Sequence, residues 1–343
     1  NQDILYLGGN KLMRSLDQGN TWEAISDDLT NGGKKGNVAY GTLTSISESP
    51  FQFGLIYAGS DDGLLHVTKN GGANWQNIST SFPKDLWVSR VIASSHKKER
   101  VYVTLNGYRW DDFSTYIYRS DDFGQTWKDI SSNVPMSPVN VIKEDPVNQS
   151  MLYLGTDNGV YVSFNKGEAW QAFSKGLPAV AVHDLVIQKD TNDLLLATHG
   201  RSIYKTNVAN LQKYDEVESA SQNISIFDVN DVRYSGRWGS SWSKWAKPFE
   251  PKLAVEYYSN FTGKTEFQIL TEENTVLQTT SVYAIKGFNY LEYGLDITEE
   301  AKEKLLKENS SLIINKAKNG KFYLPKGKYS IKINDTTKTF EVK

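Results

Sequence analysis

Five carboxylates, Asp85, Asp111, Asp112, Glu144 and Asp184, have the residue type for acid–base chemistry. A pair of them flanking the bond between two sugars would supply the acid and the base or nucleophile of glycoside hydrolysis. All five fall at or near predicted strand ends or in loops, where an acid is ordinarily a solvated turn residue, and no pair stands out as catalytic. Before residue 213 the arginines able to grip an anionic substrate are Arg14, Arg90, Arg100, Arg109, Arg119 and Arg201. Of these, Arg90, Arg109 and Arg201 can converge, but no Phe-Arg-Ile-Pro segment of the sialidase type accompanies them. A third set, His183 with Asp184 and His199 with Arg201, can join Trp87, Arg90, Tyr108, Arg109 and Trp110. That surface would mix stacking planes with charged donors, as carbohydrate and peptide sites do. The plainer reading has the histidine, aspartate and arginine groups satisfying backbone around a channel.

Other chemistry is excluded by what the chain lacks. It has no cysteine, so disulfides, thiolate metal sites and cysteine nucleophiles are absent together. No serine triad, phosphate loop or His-Glu-x-x-His zinc motif is present, and no cofactor is expected. The pairs Asp61-Asp62, Asp121-Asp122 and Asp157-Asn158 lack the five-ligand spacing of a calcium loop, so no metal is expected either. Lys and Arg total 38 against 40 Asp and Glu, a net charge of -2. That leaves no basic surplus for nucleic acid. The apolar stretch from Gly176 to Ile187 is short and broken by Pro178, His183 and Asp184, so no segment is expected to cross a bilayer. The lack of cysteine does not fix a compartment, because a large exported bacterial protein can rely on its core. Beginning at Asn1 without a leader, the sequence reads as a processed chain or a fragment.

The elements that would position these residues follow from a repeat. Ser15-Leu-Asp17-Gln-Gly19-Asn-Thr21-Trp22 recurs as Thr68 to Trp75, Ser120 to Trp127 and Ser163 to Trp170, with glycine-to-glycine spacings of 53, 52 and 43. This is the length of a four-stranded propeller blade. Each box follows a predicted strand that ends in a small residue, at Ile4 to Gly8, Ile56 to Gly59, Val101 to Thr104 and Leu152 to Gly155. Leu194 to Thr198 is a fifth such strand, running into a degenerate turn. Further strands are predicted at Thr42 to Ser47, Val88 to Ala93, Val139 to Lys143 and Val182 to Ile187. In each box the Ser/Asp turn can accept local backbone N–H groups, glycine supplies the unusual backbone angles, and the Trp covers the blade edge.

These boxes are the Asp-box, or BNR, motif. From residue 1 to about 210 the chain resembles the sortilin-like BNR propellers, especially the large exported Bacteroidota proteins often labelled glycosyl hydrolases. The likeness is carried by Tyr57-Ala-Gly-Ser-Asp-Asp-Gly-Leu-Leu, by Leu152-Tyr-Leu-Gly-Thr-Asp-Asn-Gly-Val-Tyr, and most closely by the segments holding His183-Asp184 and His199-Gly-Arg201. It implies an all-β fold of propeller blades and an exported protein of the periplasm, cell surface or extracellular space. Sialidases, xyloglucanases, peptide receptors and assembly factors share these boxes, so function must come from the site. The reading favoured here is a non-catalytic binding or assembly protein recognising a glycan, peptide or protein. The alternative is a glycoside hydrolase using channel carboxylates.

Beyond Lys213 the rhythm stops. Asn223 to Val229 can add one strand to the last blade, so the expected domains are 1–229, a propeller of about five blades, and 230–343. The second domain is read as strands at 252–258, 265–270, 275–280, 287–295, 327–333 and 339–343, with one helix over Thr298 to Asn309. Its segments Gly287-Phe-Asn-Tyr-Leu-Glu-Tyr and Leu324-Pro-Lys-Gly-Lys-Tyr-Ser-Ile-Lys-Ile resemble immunoglobulin-like sandwiches that end many exported bacterial proteins. The aromatic loop Arg233 to Trp245 is expected to pack between domains. Ile4 to Gly8 aligns with the second strand of later blades, so the first blade lacks its innermost strand. The expectation is that an upstream part of the same gene product, or a partner protein, completes the ring. A five-bladed ring closed by the strand at Asn223 to Val229 is the other outcome weighed.

Overall fold

A computed structural model describes residues 3–32 and 40–343, which form two compact units, Asn1–Gln212 and Lys213–Lys343. Helix among the described residues is limited to Tyr214–Ser219, Glu299–Glu308 and two single 3-10 turns.

The first unit is a succession of antiparallel sheets. Sheet 1 contains β1 (Leu5–Gly8), β2 (Leu12–Ser15) and β3 (Glu23–Ala24). Sheet 2 contains β4 (Leu43–Glu48), β5 (Ile56–Ser60), β6 (Leu65–Thr68) and β7 (Gln76–Asn77). Sheet 3 contains β8 (Trp87–Ala93), β9 (Val101–Gly107), β10 (Asp112–Ser120) and β11 (Lys128–Asp129). Sheet 4 contains β12 (Val139–Glu144), β13 (Leu152–Thr156), β14 (Gly159–Ser163) and β15 (Gln171–Ala172), and sheet 5 contains β16 (Val182–Gln188), β17 (Asp193–Thr198) and β18 (Ile203–Asn207). Consecutive sheets pack through their first strands, β4 on β8, β8 on β12 and β12 on β16, with β1 on β4 at the start.

Burial separates the middle of this series from its ends. Strands β5, β9 and β13 are buried at every position because a sheet covers each face, and they read as near-continuous apolar runs for the same reason. Strands β1 and β18 instead alternate between exposed and half-buried positions, leaving Leu5 and Leu7 at one end and Ile203 at the other in solvent.

The boxes lock neighbouring sheets together. In the third box Ser120 Oγ donates to Asp122 Oδ1 at 2.7 Å and accepts from Gly124 N, while Asp122 accepts from the amide and hydroxyl of Thr126. The Ser/Thr to Gly and Asp/Asn to fourth-residue bonds recur in all four boxes. Gly124 has φ of 86°, and a Cβ there would lie 2.4 Å from Ile78 Cδ1 on the preceding sheet, so both conformation and space require glycine. The box Trp then reaches the same neighbour. Trp75 Nε1 donates to Ile25 O at 2.8 Å, Trp127 to Ile78 O at 2.9 Å and Trp170 to Ile130 O at 2.7 Å. Trp22 instead donates to Gly19 O of its own box.

In the second unit β19 (Ile224–Ile226), β20 (Leu253–Ser259) and β23 (Gly287–Tyr293) form one sheet. A second sheet takes the order β22 (Val276–Ala284), β21 (Gly263–Thr271), β26 (Gly327–Ile333) and β27 (Thr336–Val342). One core holds Val255 and Tyr257 from the first and Ile269, Ile331 and Phe340 from the second. A small pair, β24 (Asp296–Ile297) with β25 (Phe322–Tyr323), and helix α2 (Glu299–Glu308) complete the unit after the short α1 (Tyr214–Ser219). Thr298 caps α2 by accepting from Ala301 N at 3.1 Å.

Two expectations are corrected here. Ile224–Ile226 pairs with Tyr257–Ser259, so it belongs to the second unit and does not extend or close the propeller, and the boundary falls after Gln212 rather than after 229. The aromatic loop is not packed as a whole. Trp238 is buried in the second unit's core, but Trp242 and Trp245 are 91% and 90% exposed.

Candidate functional site

The first strands of sheets 2 to 5 share an irregularity that sequence spacing does not reveal. Each carries a register shift at the same place, between Leu43 and Ser45, Val88 and Arg90, Val139 and Val141, and Val182 and Asp184. Such a bulge bends the strand and re-aims its side chains. The bulged residues are therefore equivalent: Thr44, Ser89, Asn140 and His183. Immediately after them stand Ser45, Arg90, Val141 and Asp184.

This placement brings together part of the expected polar surface. Arg90 Nη2 donates to Asp184 Oδ1 at 2.8 Å, linking sheet 3 to sheet 5 past Val141 of sheet 4. Beside Asp184, the His183 and His199 rings lie 5.3 Å apart between centroids. A second group forms around Arg109, whose guanidinium lies 5.5 Å from the Trp87 ring centroid and 3.6 Å from Asp61 Oδ2. Trp110 Nε1 donates to Asp85 O at 2.8 Å, and Tyr108 is exposed. Arg201 is exposed and does not join either group through an ion pair or hydrogen bond among the described residues.

Two donors of this surface stay unsatisfied. Arg90 Nε and Trp87 Nε1, three residues apart on β8, are buried with no acceptor among the described residues. Leaving a buried donor unmade costs roughly 1–3 kcal/mol.

The carboxylates considered for hydrolysis are mostly committed elsewhere. Buried Glu144 accepts from Ser94 Oγ, Ser95 N and Tyr102 Oη. Asp112 accepts from Ser114 N and Tyr116 Oη, and those bonds hold its carboxyl below the usual carboxylate range. Asp111 closes a 3-10 turn with a left-handed backbone. Asp184 is paired with Arg90. Asp61 likewise serves structure, accepting from the backbone N–H groups of Tyr40, Gly41 and Thr42.

Sequence reasoning missed Lys143. It stands on β12 where Ile92 and Val186 stand on the flanking first strands, so a cation replaces an apolar residue. Burial first, then the Arg90 guanidinium, lower its pKa, while Asp184 opposes the shift. A strand-by-strand alignment of the repeat would have exposed this substitution. The network in which Asp121 accepts from Arg100 Nε at 2.7 Å and pairs with Arg119 at 3.2 Å was also missed. It joins turn residues to strand residues, with no spacing signature.

The BNR/Asp-box repeat family matches residues 118–129, which include the third box. Sortilin of Rattus norvegicus is 23% identical over 163 residues, covering 46% of this chain and 19% of that protein, so the chain spans about a fifth of the length of the curated relatives it matches. The GH74 xyloglucanase from Xanthomonas campestris has a TM-score of 0.48 at 10% identity, over 99% of this chain and 52% of that one. YCF48 bound to D1 peptide has a TM-score of 0.42 at 14% identity, over 87% and 91% respectively. No helix among the described residues is long and apolar enough to cross a membrane. The matched repeat, the similarity to sortilin and four like boxes on successive antiparallel sheets are what this chain shares with BNR β-propellers.

Proposed function

We propose that this chain is a non-catalytic, exported or cell-surface binding protein whose polar surface recognises a glycan, peptide or protein. The surface comprises Trp87, Arg90, Tyr108, Arg109, Trp110, His183, Asp184, His199 and Arg201, with Lys143 added. The Arg90–Asp184 ion pair carries the reading. Glycoside hydrolysis needs two carboxylates across the scissile bond, and Asp184 is tied through Oδ1 to Arg90 while Glu144 and Asp112 are tied to local donors, which supports recognition over hydrolysis. The same pair does suit recognition, because its side chains are 33% and 48% exposed and a ligand can exchange with either partner.

The resemblance of residues 1 to about 210 to exported Bacteroidota proteins supports the location, and the likeness carried by the segments starting at Gly287 and Leu324 supports an immunoglobulin-like second unit. The exposed apolar residues Leu7 and Ile203 on the end sheets support completion of the ring by an upstream part of the same gene product or a partner protein. Probing glycan and peptide arrays with wild type, Arg90→Ala, Trp87→Ala and His183→Ala tests the site. One ligand class bound by wild type and weakened about tenfold or more in Arg90→Ala is expected. Equal binding by all four proteins would overturn it.

A further inference from the structure

The second unit carries a surface of different chemistry. Between Val232 and Phe249 stand Arg233, Arg237, Lys244 and Lys247 with no Asp or Glu, in a chain whose net charge is -2. The stretch 311–321 adds Lys316, Lys318 and Lys321, again with no acid. Lys321 is neutralised by Glu250 at 3.1 Å, but the other six form no ion pair among the described residues.

These two stretches meet at a cavity of about 340 Å³. Ser235, Ser240, Asn315, Lys316 and Lys318 supply its polar wall, Tyr234, Trp238 and Tyr323 supply aromatic rings, and Ile313, Ile314 and Pro325 supply an aliphatic edge. On the same loop Trp242 and Trp245 are almost wholly exposed, three residues apart, with Lys244 Nζ 5.7 Å from the Trp245 ring centroid. An indole in water loses the benefit of burying the largest apolar side chain, so two of them at this exposure call for a partner.

We propose that this loop and cavity bind an acidic polysaccharide of the polyuronate class. Each uronate ring offers an apolar C–H face for an indole and one carboxylate for a lysine or arginine, and a linear chain repeats that pairing along the loop. The cavity's serine and asparagine groups match sugar hydroxyls. A lipid surface would use the same cations and indoles but would leave a polar, concave wall without partners, so a glycan is favoured. This site uses none of the residues of the propeller surface and stands whether or not that surface binds a ligand.

The test is affinity electrophoresis and titration of the whole chain with polygalacturonate, with neutral dextran as control and vesicles of phosphatidylserine and phosphatidylcholine as a competing probe. Wild type should bind polygalacturonate and not dextran, with weaker binding as salt rises. Trp242→Ala and Trp245→Ala should each weaken binding about tenfold. Lys316→Ala with Lys318→Ala should weaken it while lowering the melting temperature only slightly, since both side chains are exposed and the one contact to the core among the described residues is Lys316 Nζ, 5.7 Å from the Phe322 ring centroid. Absence of polygalacturonate binding, unchanged binding in both Trp variants, or binding to the vesicles alone would overturn the proposal.

Discussion

Arg90 and Asp184 occupy equivalent positions, each immediately after the bulge of its first strand, two sheets apart, and they are joined by a 2.8 Å hydrogen bond. Their equivalence means that the repeat itself aims both side chains at the same place. With side chains 33% and 48% exposed, the pair contributes little to stability, roughly 0–1 kcal/mol, which leaves it free to serve recognition.

The box tryptophans test the clamp between sheets. Trp75→Phe, Trp127→Phe and Trp170→Phe should each cost about 1–2 kcal/mol, because the donor to the preceding Ile carbonyl is lost and that carbonyl loses its partner. Trp22→Phe should cost far less, because Trp22 bonds within its own box and is 40% exposed. Chemical denaturation of the four variants checks this, and equal losses would contradict the clamp.

Gly124→Ala should destabilise by roughly 2–4 kcal/mol, combining a left-handed backbone with overlap against Ile78. Gly200→Ala has φ of 71° but open space around it, so it should cost only about 1 kcal/mol. Thermal melts of the two variants separate strain from overlap.

Acid sensitivity follows from the boxes. Desolvation would raise the Asp122 carboxyl, but the Thr126 hydroxyl and amide and the Ser120 hydroxyl outweigh it and hold its pKa at about 2. A folded pKa below the unfolded one gives stability that is present above about pH 4 and lost as pH falls toward 2. Asp122→Asn, the residue type that boxes two and four carry at Asn70 and Asn165, should flatten this acid limb by lowering stability at neutral pH toward its value in acid. Denaturation midpoints from pH 7 to pH 2 provide the measurement.

Much of the first unit was legible because a box fixes its own turn and a short apolar run fixes the strand before it. The predicted strands around Val101, Leu152 and Leu194 agree with β9, β13 and β17. The strand at Ile224 was assigned to the propeller because pairing partners of a three-residue apolar run are not written in that run, and Tyr257–Ser259 claimed it through long-range pairing. Within the site, Arg90 and Asp184 were named without their pairing, since the bulge that aims them depends on backbone register rather than residue type. Arg201, two residues from His199, makes no ion pair or hydrogen bond with either group among the described residues.

The end sheets predict behaviour in solution. Leu7 on β1 and Ile203 on β18 are 59% and 66% exposed on strand faces that have covered counterparts in the middle sheets. The isolated chain should bind a hydrophobic dye and associate at higher concentration, and Leu7→Lys with Ile203→Lys should reduce both. A dye-silent, protease-resistant monomer by light scattering would contradict the open-ring part of the account.

The claim of binding without catalysis is tested most directly by turnover. Wild type, Asp111→Asn, Asp112→Asn and Asp184→Asn should be assayed side by side on a panel of polysaccharides and aryl glycosides. The account predicts no release of reducing ends above a protein-free control for any of the four. Turnover by wild type that one of these substitutions abolishes would contradict it and identify the catalytic carboxylate.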